Sequence, residues 1–148
     1  MFYRNYRNKL NAKRTSHNGT TYASKLEART KIFLEKYQSK LFPVIKDQVR
    51  IPLCISGKKV CDYVIDFVVT LSDGQSLLYV ESKGFWTDAA KLKIKFFLAL
   101  YPEVEYRVVN DYSLKLLYLY PEHLITGEDC HTQANPFNHK SLGRILRK

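Results

Sequence analysis

The sequence predicts an α/β (α+β) domain in which helices flank a mixed β-sheet. Periodic apolar segments follow the order helix, three strands, helix, two strands, which is typical of such a sheet. An Asp73-Gly74 pair between two apolar runs is a strong hairpin signal. The chain has 148 residues, 45% of them hydrophobic, which is enough for one ordinary core.

The first helix is predicted over residues 24–41, with Ser24 as its N-cap and Pro43 beyond its end. Its apolar stripe has spacings of three and four and comprises Ala23, Leu26, Thr30, Phe33, Tyr37 and Leu41. Glu27 lies in the first turn, beside this stripe. Residues 1–20 show no helical or strand period, so we expect a flexible basic arm that a ligand orders.

Three strands are predicted next, over about 48–55, 60–71 and 76–83, from alternating or continuous apolar residues. Pro52 cannot donate a ladder hydrogen bond, so the first of them is expected at a sheet edge or as a bridge between two bodies. The Asp73-Gly74 turn then joins the second strand to the third.

A second helix is predicted over about 88–101, begun by Thr87 or Asp88 and ended by Pro102. Its inward residues are expected to be Ala89, Leu92, Phe96 and Ala99. Strands are predicted at about 104–110 and 114–119. Beyond Gly127 the pattern is irregular, apart from a short helix considered near 142–146. The predicted organisation is thus an arm at 1–20, a folded domain at 21–126 and a basic tail at 127–148.

The net charge of +10 is concentrated at the two ends of the chain. Residues 1–20 contribute +5 and residues 131–148 contribute +4, both without an acidic residue. Basic tails beside a nearly neutral body predict a polyanionic partner such as DNA, although such tails can also serve only solubility. The cations considered for DNA binding are Arg4, Arg7, Lys13, Arg14, Lys91 and Lys95.

Hydropathy and cysteine usage indicate a cytoplasmic protein without a membrane partner. The sequence has neither an apolar run of membrane-spanning length nor a charged-then-apolar leader. Its three cysteines, Cys54, Cys61 and Cys130, are odd in number and form no Cys-x-x-Cys pair. We therefore expect reduced thiols and no zinc site.

The residues with the strongest chemical signal are Asp66, Glu81 and Lys83, each in an apolar strand. Alternation along a strand places Glu81 and Lys83 on one side. Two carboxylates on strands joined by a hairpin can bind Mg²⁺, with the main-chain carbonyl of Ser82 as a further oxygen. Lys83 can orient a water or stabilise negative charge on phosphorus. The alternatives are a cross-strand salt bridge and a structural hydrogen-bonding aspartate.

These residues resemble the PD-(D/E)XK nuclease superfamily, and within it the phage endonuclease I family of Holliday junction resolvases. The resemblance covers about 24–109. It is carried by Asp66, by Glu81-x-Lys83 and by Glu27 in a preceding helix that reads Ser-Lys-Leu-Glu. The segment at 80–86 reads Val-Glu-Ser-Lys-Gly-Phe-Trp, and a helix ending in Tyr-Pro-Glu precedes a Val-rich strand.

The resemblance implies catalytic positions at Glu27, Asp66, Glu81 and Lys83, and two Mg²⁺ or Mn²⁺ ions per site. It also implies a homodimer that cleaves branched DNA in phage recombination or DNA processing, in the host cytoplasm. The sequence departs from the family in having Ile65 before the Asp, a longer hairpin and a different C-terminal third. A nuclease for duplex ends, nicks or specific sequences, and a non-catalytic DNA-binding module, remain as alternatives.

Overall fold

The computed structural model describes residues 12–128 of the chain. The helices and strands within this range, in chain order, are β1 (Thr15–His17), β2 (Thr20–Tyr22), α1 (Lys25–Lys36), β3 (Val44–Ile55), β4 (Lys58–Thr70), β5 (Leu77–Ser82), α2 (Asp88–Leu100), β6 (Glu105–Val109), α3 (Asp111–Leu119) and α4 (His123–Thr126). Mixed α and β structure is therefore confirmed.

The main sheet has four strands in the order β3-β4-β5-β6. The first three pair antiparallel, and β6 pairs with β5 in parallel, so the sheet is mixed as predicted. The Asp73-Gly74 turn joins β4 to β5 and has the expected geometry. Gly74 has a φ of 73°, and the Asp73 carboxylate accepts the amides of Gln75 and Ser76 at 2.9 and 2.8 Å.

Helices cover both faces of this sheet. One buried cluster joins Phe33 and Leu34 of α1, Val80 of β5 and Leu114 and Leu117 of α3. The other cluster joins β4 and β6 to α2; it contains Leu53, Tyr63, Ile65, Val68, Ile94, Phe97, Leu98, Tyr106 and Val108. Along β5, side chains at successive positions enter different clusters, Leu78 and Val80 the first and Tyr79 the second, as the pleat of a two-sided sheet requires.

The edge position predicted from Pro52 is confirmed. Pro52 of β3 lies opposite Asp62 of β4, and β3 pairs only with β4 among the described strands. A proline at this place removes no ladder hydrogen bond from a central strand. Both strands are longer than predicted, because β3 begins at Val44 and β4 at Lys58.

The N-terminal part of the described chain corrects one prediction. β1 and β2 form an antiparallel hairpin where no regular structure was expected at 1–20. Asn18 and Gly19 have φ values of 48° and 79°, and an Asn-Gly pair is a preferred hairpin turn. His17 Nε2 lies 2.7 Å from Glu35 Oε2, which joins the hairpin to α1. Residues 1–11 of the predicted arm lie outside the described residues.

The first helix begins where predicted but is shorter. The Ser24 side chain accepts the Glu27 amide as an N-cap, and the helix ends at Lys36 instead of 41. Residues 37–41 form turns, in which the amides of Lys40 and Leu41 both bond to the Tyr37 carbonyl. Tyr37 and Leu41 pack against the core although they lie beyond the end of the helix. Their spacing in the sequence therefore indicates burial, and not a helix that continues to residue 41.

The inward face predicted for the second helix is wrong. α2 is capped by Thr87 as expected, but its buried residues are Ile94, Phe97 and Leu98, and Leu92 is 56% exposed. The apolar residues of α2 lie on every side of the helix, so their spacing alone does not identify the buried face. The buried face is the one that carries Phe97, whose ring packs among tyrosine rings. The centroids of the Phe97 and Tyr63 rings are 5.3 Å apart.

The strand predicted at about 114–119 is also wrong, because this segment is helix α3. Asn110 Oδ1 accepts the Ser113 amide and Ser113 Oγ accepts the Asn110 amide, both at 2.8 Å, which is a reciprocal capping box. Leu114 and Leu117 then fall on one buried face. The short α4 was not predicted, and the helix considered near 142–146 lies outside the described residues.

In residues 12–128 none of the helices has both the length and the apolar character needed to cross a bilayer.

We expect Asn110→Ala to lower the free energy of unfolding by about 1 kcal/mol, because it removes the N-cap of α3. Asn110→Asp retains a side-chain acceptor and should restore most of this stability. Urea denaturation of both variants measures the difference. Equal stability of the two would show that the cap contributes nothing.

Candidate active site

The end of β5 holds an ion pair below the protein surface. Lys83 Nζ lies 2.8 Å from Glu81 Oε1, and the Glu81 side chain is only 3% exposed. The pair leaves one side of the strand, as alternation predicted. The backbone here is fixed by β6, because the Lys83 amide donates to the Val109 carbonyl at 2.8 Å.

Asp66 joins this pair from the neighbouring strand β4. Its Oδ2 accepts the Ser82 amide at 2.8 Å, just beyond the last residues that pair β4 with β5. Burial raises its pKa well above the usual aspartate range, and the charges of Glu81 and Glu27 act in the same direction. Asp66, Glu81 and Lys83 therefore share one electrostatic site, as the sequence predicted.

Lys83 is the cation that offsets these carboxylates. Burial acts to lower its pKa, but the Glu81 charge and hydrogen bond, with smaller contributions from Asp66 and Glu27, raise it overall. The amine is therefore positively charged at neutral pH. A cation bound beside the two buried carboxyl groups would offset the burial and the repulsion that raise the Asp66 pKa, so the site is suited to a cation.

Glu27 borders the site but already has hydrogen bonds of its own. Its Oε2 accepts the Ala23 amide at 3.2 Å, and its Oε1 lies 3.5 Å from Ser24 Oγ. With Ser24 as N-cap, this arrangement is close to a capping box. Burial raises the Glu27 pKa, the Ala23 hydrogen bond opposes the rise, and the Glu81 charge adds to it.

Ser82 connects the site to α1 through its hydroxyl. Ser82 Oγ donates to Thr30 Oγ1 at 3.0 Å, and Thr30 Oγ1 donates to the Leu26 carbonyl at 2.9 Å. Both side chains are buried. The helical spacing places Thr30 in the apolar stripe and gives no sign of its hydrogen bond to Ser82. The predicted metal-binding role of the Ser82 carbonyl stays a prediction.

Two tyrosines beside Glu81 were also missed by sequence reasoning. The hydroxyls of Tyr63 and Tyr106 lie 2.8 Å apart in the core. Burial raises the pKa of both, and the Glu81 charge contributes to each rise, so the pair lies in the field of this carboxylate. The apolar residues around each tyrosine predict both strands, but no sequence signal predicts that the hydroxyls of Tyr63 and Tyr106 meet.

A cavity of about 420 Å³ adjoins the site and is lined by Lys83 and Glu27, whereas Asp66 and Glu81 do not line it. Its lining includes Ser24, Thr87 and Asp111, which stand at the N-terminal ends of α1, α2 and α3. The remaining lining residues are Ala12, Ala23, Leu26, Glu27, Ser82, Lys83, Gly84, Phe85 and Ala90. Helix N-termini carry partial positive charge, so the cavity can favour an anionic group beside Lys83.

The cations predicted to bind DNA are only partly located. Arg4 and Arg7 lie outside the described residues. Lys13 and Arg14 are exposed and directly follow Ala12, which lines the cavity. On α2, Lys91 Nζ lies 3.5 Å from Asp88 Oδ1 and Lys95 is exposed; neither lines the cavity.

A metal site is only partly assembled. In the range 12–128, no group of three or more His, Cys, Asp and Glu side chains is arranged to hold an ion. However, Glu81 Oε2 is buried and has no hydrogen-bond partner within this range. An orphaned carboxylate oxygen costs free energy unless a proton or cation satisfies it. Asp66 and Glu81 therefore fit Mg²⁺, which commonly binds one or two carboxylates and retains waters.

Comparison with known proteins gives no family assignment. A scan of the sequence against models of protein families finds no match, and neither does a search of curated proteins.

We expect Asp66→Asn to stabilise the metal-free protein at neutral pH. The folded state raises the pKa of Asp66, so the wild type loses stability as pH rises from the usual aspartate range through the folded pKa. Asn keeps an oxygen for the Ser82 amide but carries no charge. Urea denaturation at pH 5 and pH 8 should show a variant whose advantage grows with pH. An Asp66→Asn variant that is less stable than the wild type by the same amount at both pH values would contradict this prediction.

Proposed function

We propose that this protein is a divalent-metal-dependent endodeoxyribonuclease. The observation that carries the proposal is the shared site of Asp66, Glu81 and Lys83, in which one Glu81 oxygen is buried without a hydrogen-bond partner among residues 12–128. This combination agrees with the resemblance to PD-(D/E)XK nucleases, including their sheet-and-helix core. A purely structural salt bridge would satisfy its carboxylate more completely.

Asp66 and Glu81 are the residues that would hold Mg²⁺ or Mn²⁺, with the Ser82 carbonyl as a main-chain oxygen. A bound Mg²⁺ supplies a water that is acidic enough to become a nucleophile at neutral pH, and it neutralises charge on the phosphate. Glu27 would serve a second ion only after releasing the Ala23 amide, because that hydrogen bond occupies its Oε2. One strongly held ion and one weaker ion therefore fit these contacts best.

Lys83 would act on the reacting phosphate. Its Nζ is anchored by Glu81 Oε1, and its side chain lines the cavity that admits the substrate. An ammonium held in this way can orient the attacking water by hydrogen bonding and stabilise the added negative charge on phosphorus. The N-termini of three helices around the same cavity would contribute in the same direction.

The proposed substrate is branched DNA, with a homodimer making two symmetric cuts across a junction. The overall charge of +10 favours a polyanion, and the exposed cations Lys13 and Arg14 directly follow Ala12, which lines the cavity. A nuclease for duplex ends or nicks would use the same site. A DNA-binding module without catalysis is the second candidate, because no three-carboxylate metal cluster is assembled in residues 12–128.

Cleavage of a synthetic four-way junction and of its linear arms, with and without Mg²⁺, tests the proposal. We expect Mg²⁺-dependent, paired cuts in the junction. Asp66→Asn, Glu81→Gln and Lys83→Met should each slow cleavage by roughly 10²-fold or more, while junction binding persists. Glu103→Gln is the matched control, since it removes an exposed carboxylate outside the site. Unchanged cleavage in all three site variants would exclude the proposed chemistry.

The arm should contribute to binding through phosphate contacts. Arg14→Ala should weaken junction binding and reduce the slope of log affinity against log salt by roughly 0.9, the value for one lost contact. Lys40→Ala removes the same charge beyond the C-terminal end of α1, whereas the cavity lies at the N-terminal end of that helix. Fluorescence anisotropy at several salt concentrations measures both. Identical slopes for the two variants would contradict a role for Arg14.

A further inference from the structure

Phe85 is unusually exposed for an aromatic residue beside a strand end. It is 59% exposed, although Trp86, the next residue, packs against the core cluster on the α2 side of the sheet. Phe85 lines the same cavity as Lys83 and Glu27. An exposed apolar residue is common on protein surfaces, so its exposure becomes informative only through this position.

Gly84, between Lys83 and Phe85, is a glycine that the fold does not require. Its φ does not lie in the left-handed region, unlike those of Gly19, Gly57, Gly74 and Gly127. A Cβ atom built on Gly84 would meet only Leu26 Cδ2, at 4.0 Å, which is ordinary van der Waals contact. The missing side chain therefore leaves open space in the cavity that Lys83 also lines.

We infer that Gly84 and Phe85 form a subsite for one unpaired nucleotide beside the scissile phosphate. The sugar-phosphate backbone passes over Gly84, where no side chain obstructs it, and the base stacks on the Phe85 ring. Because both faces of a base inside a duplex are already covered, only an unstacked base offers a face to Phe85. The inference deepens the proposed function by naming the feature of the substrate that the site recognises.

The surroundings of Phe85 favour a nucleotide over an apolar peptide. Lys83 and the N-terminal ends of three helices line the cavity and attract a phosphate. Two carboxylates line it as well: Asp111 is paired with Arg29, and Glu27 accepts the Ala23 amide. The exposed cations Lys13 and Arg14 follow Ala12 at its edge. An aromatic ring among cationic groups is the usual combination in sites for single-stranded nucleic acid. Flaps and frayed ends present such a nucleotide, and a base at an open branch point lacks a stacked neighbour on one face.

The test uses fluorescence of 2-aminopurine at an unpaired position in a short oligonucleotide, without divalent metal, so that binding is read without cleavage. Stacking on Phe85 should quench the fluorescence. We expect Phe85→Ala to abolish the quenching and to weaken binding roughly tenfold, while Phe85→Tyr retains both. Leu92→Ala is the matched control, because Leu92 is 56% exposed but lies outside the cavity, and it should behave as wild type.

Gly84→Ala provides an independent readout of the open space. The added methyl group is tolerated by the fold, so the thermal unfolding temperature should remain unchanged while oligonucleotide affinity falls several-fold. Equal quenching in Phe85→Ala, Phe85→Tyr and Leu92→Ala would overturn the subsite. So would Gly84→Ala with wild-type affinity.

The same variants separate this inference from the proposed nuclease activity. If the wild type cuts no DNA in Mg²⁺ but shows quenching that Phe85→Ala removes, the subsite stands and the nuclease proposal fails. If the wild type cuts DNA and Phe85→Ala keeps the same preference for junction over duplex as Leu92→Ala, the nuclease stands and the subsite is overturned. A loss of that preference in Phe85→Ala alone supports both.

Discussion

Two buried carboxyl groups and one partly buried ammonium meet where β5 ends beside Asp66 of β4, and much of the neighbouring structure keeps them there. The Ser82 amide fixes Asp66, and Glu81 fixes Lys83. The remaining Glu81 oxygen is buried without a partner in the described part of the chain. Such an arrangement is costly for a folded protein, and a cation at this position would offset the cost.

The fold concentrates its capped helix ends around this charge cluster. The Thr30–Ser82 hydrogen bond holds α1 against β5, and the ion pair of Arg29 with Asp111 joins α1 to α3. The N-terminal ends of α1, α2 and α3 consequently line one cavity. An anion in this cavity would meet partial positive charge from the three helix ends and the charge of Lys83, beside the Glu27 and Asp111 carboxylates that also line it.

The sequence predicted the proximity of Asp66, Glu81 and Lys83 better than it predicted the surrounding helices. Strand alternation and the Asp73-Gly74 turn were sufficient to bring Asp66 next to Glu81, because both signals are local. The α3 segment was read as a strand because its Leu and Tyr content outweighed the Asn110 cap. The buried face of α2 was missed because its choice depends on Phe97 packing among tyrosines from distant strands. The Tyr63–Tyr106 contact depends on tertiary packing in the same way.

Calorimetric titration of the protein with Mn²⁺ tests most directly whether this charge cluster is a cation site. The account predicts saturable binding to the wild type and to the control variant Glu103→Gln, which alters an exposed carboxylate. It predicts strongly weakened binding when either Asp66 or Glu81 is replaced by its amide. Titrations of those two amide variants that are indistinguishable from the wild type would contradict a metal site at the end of the sheet.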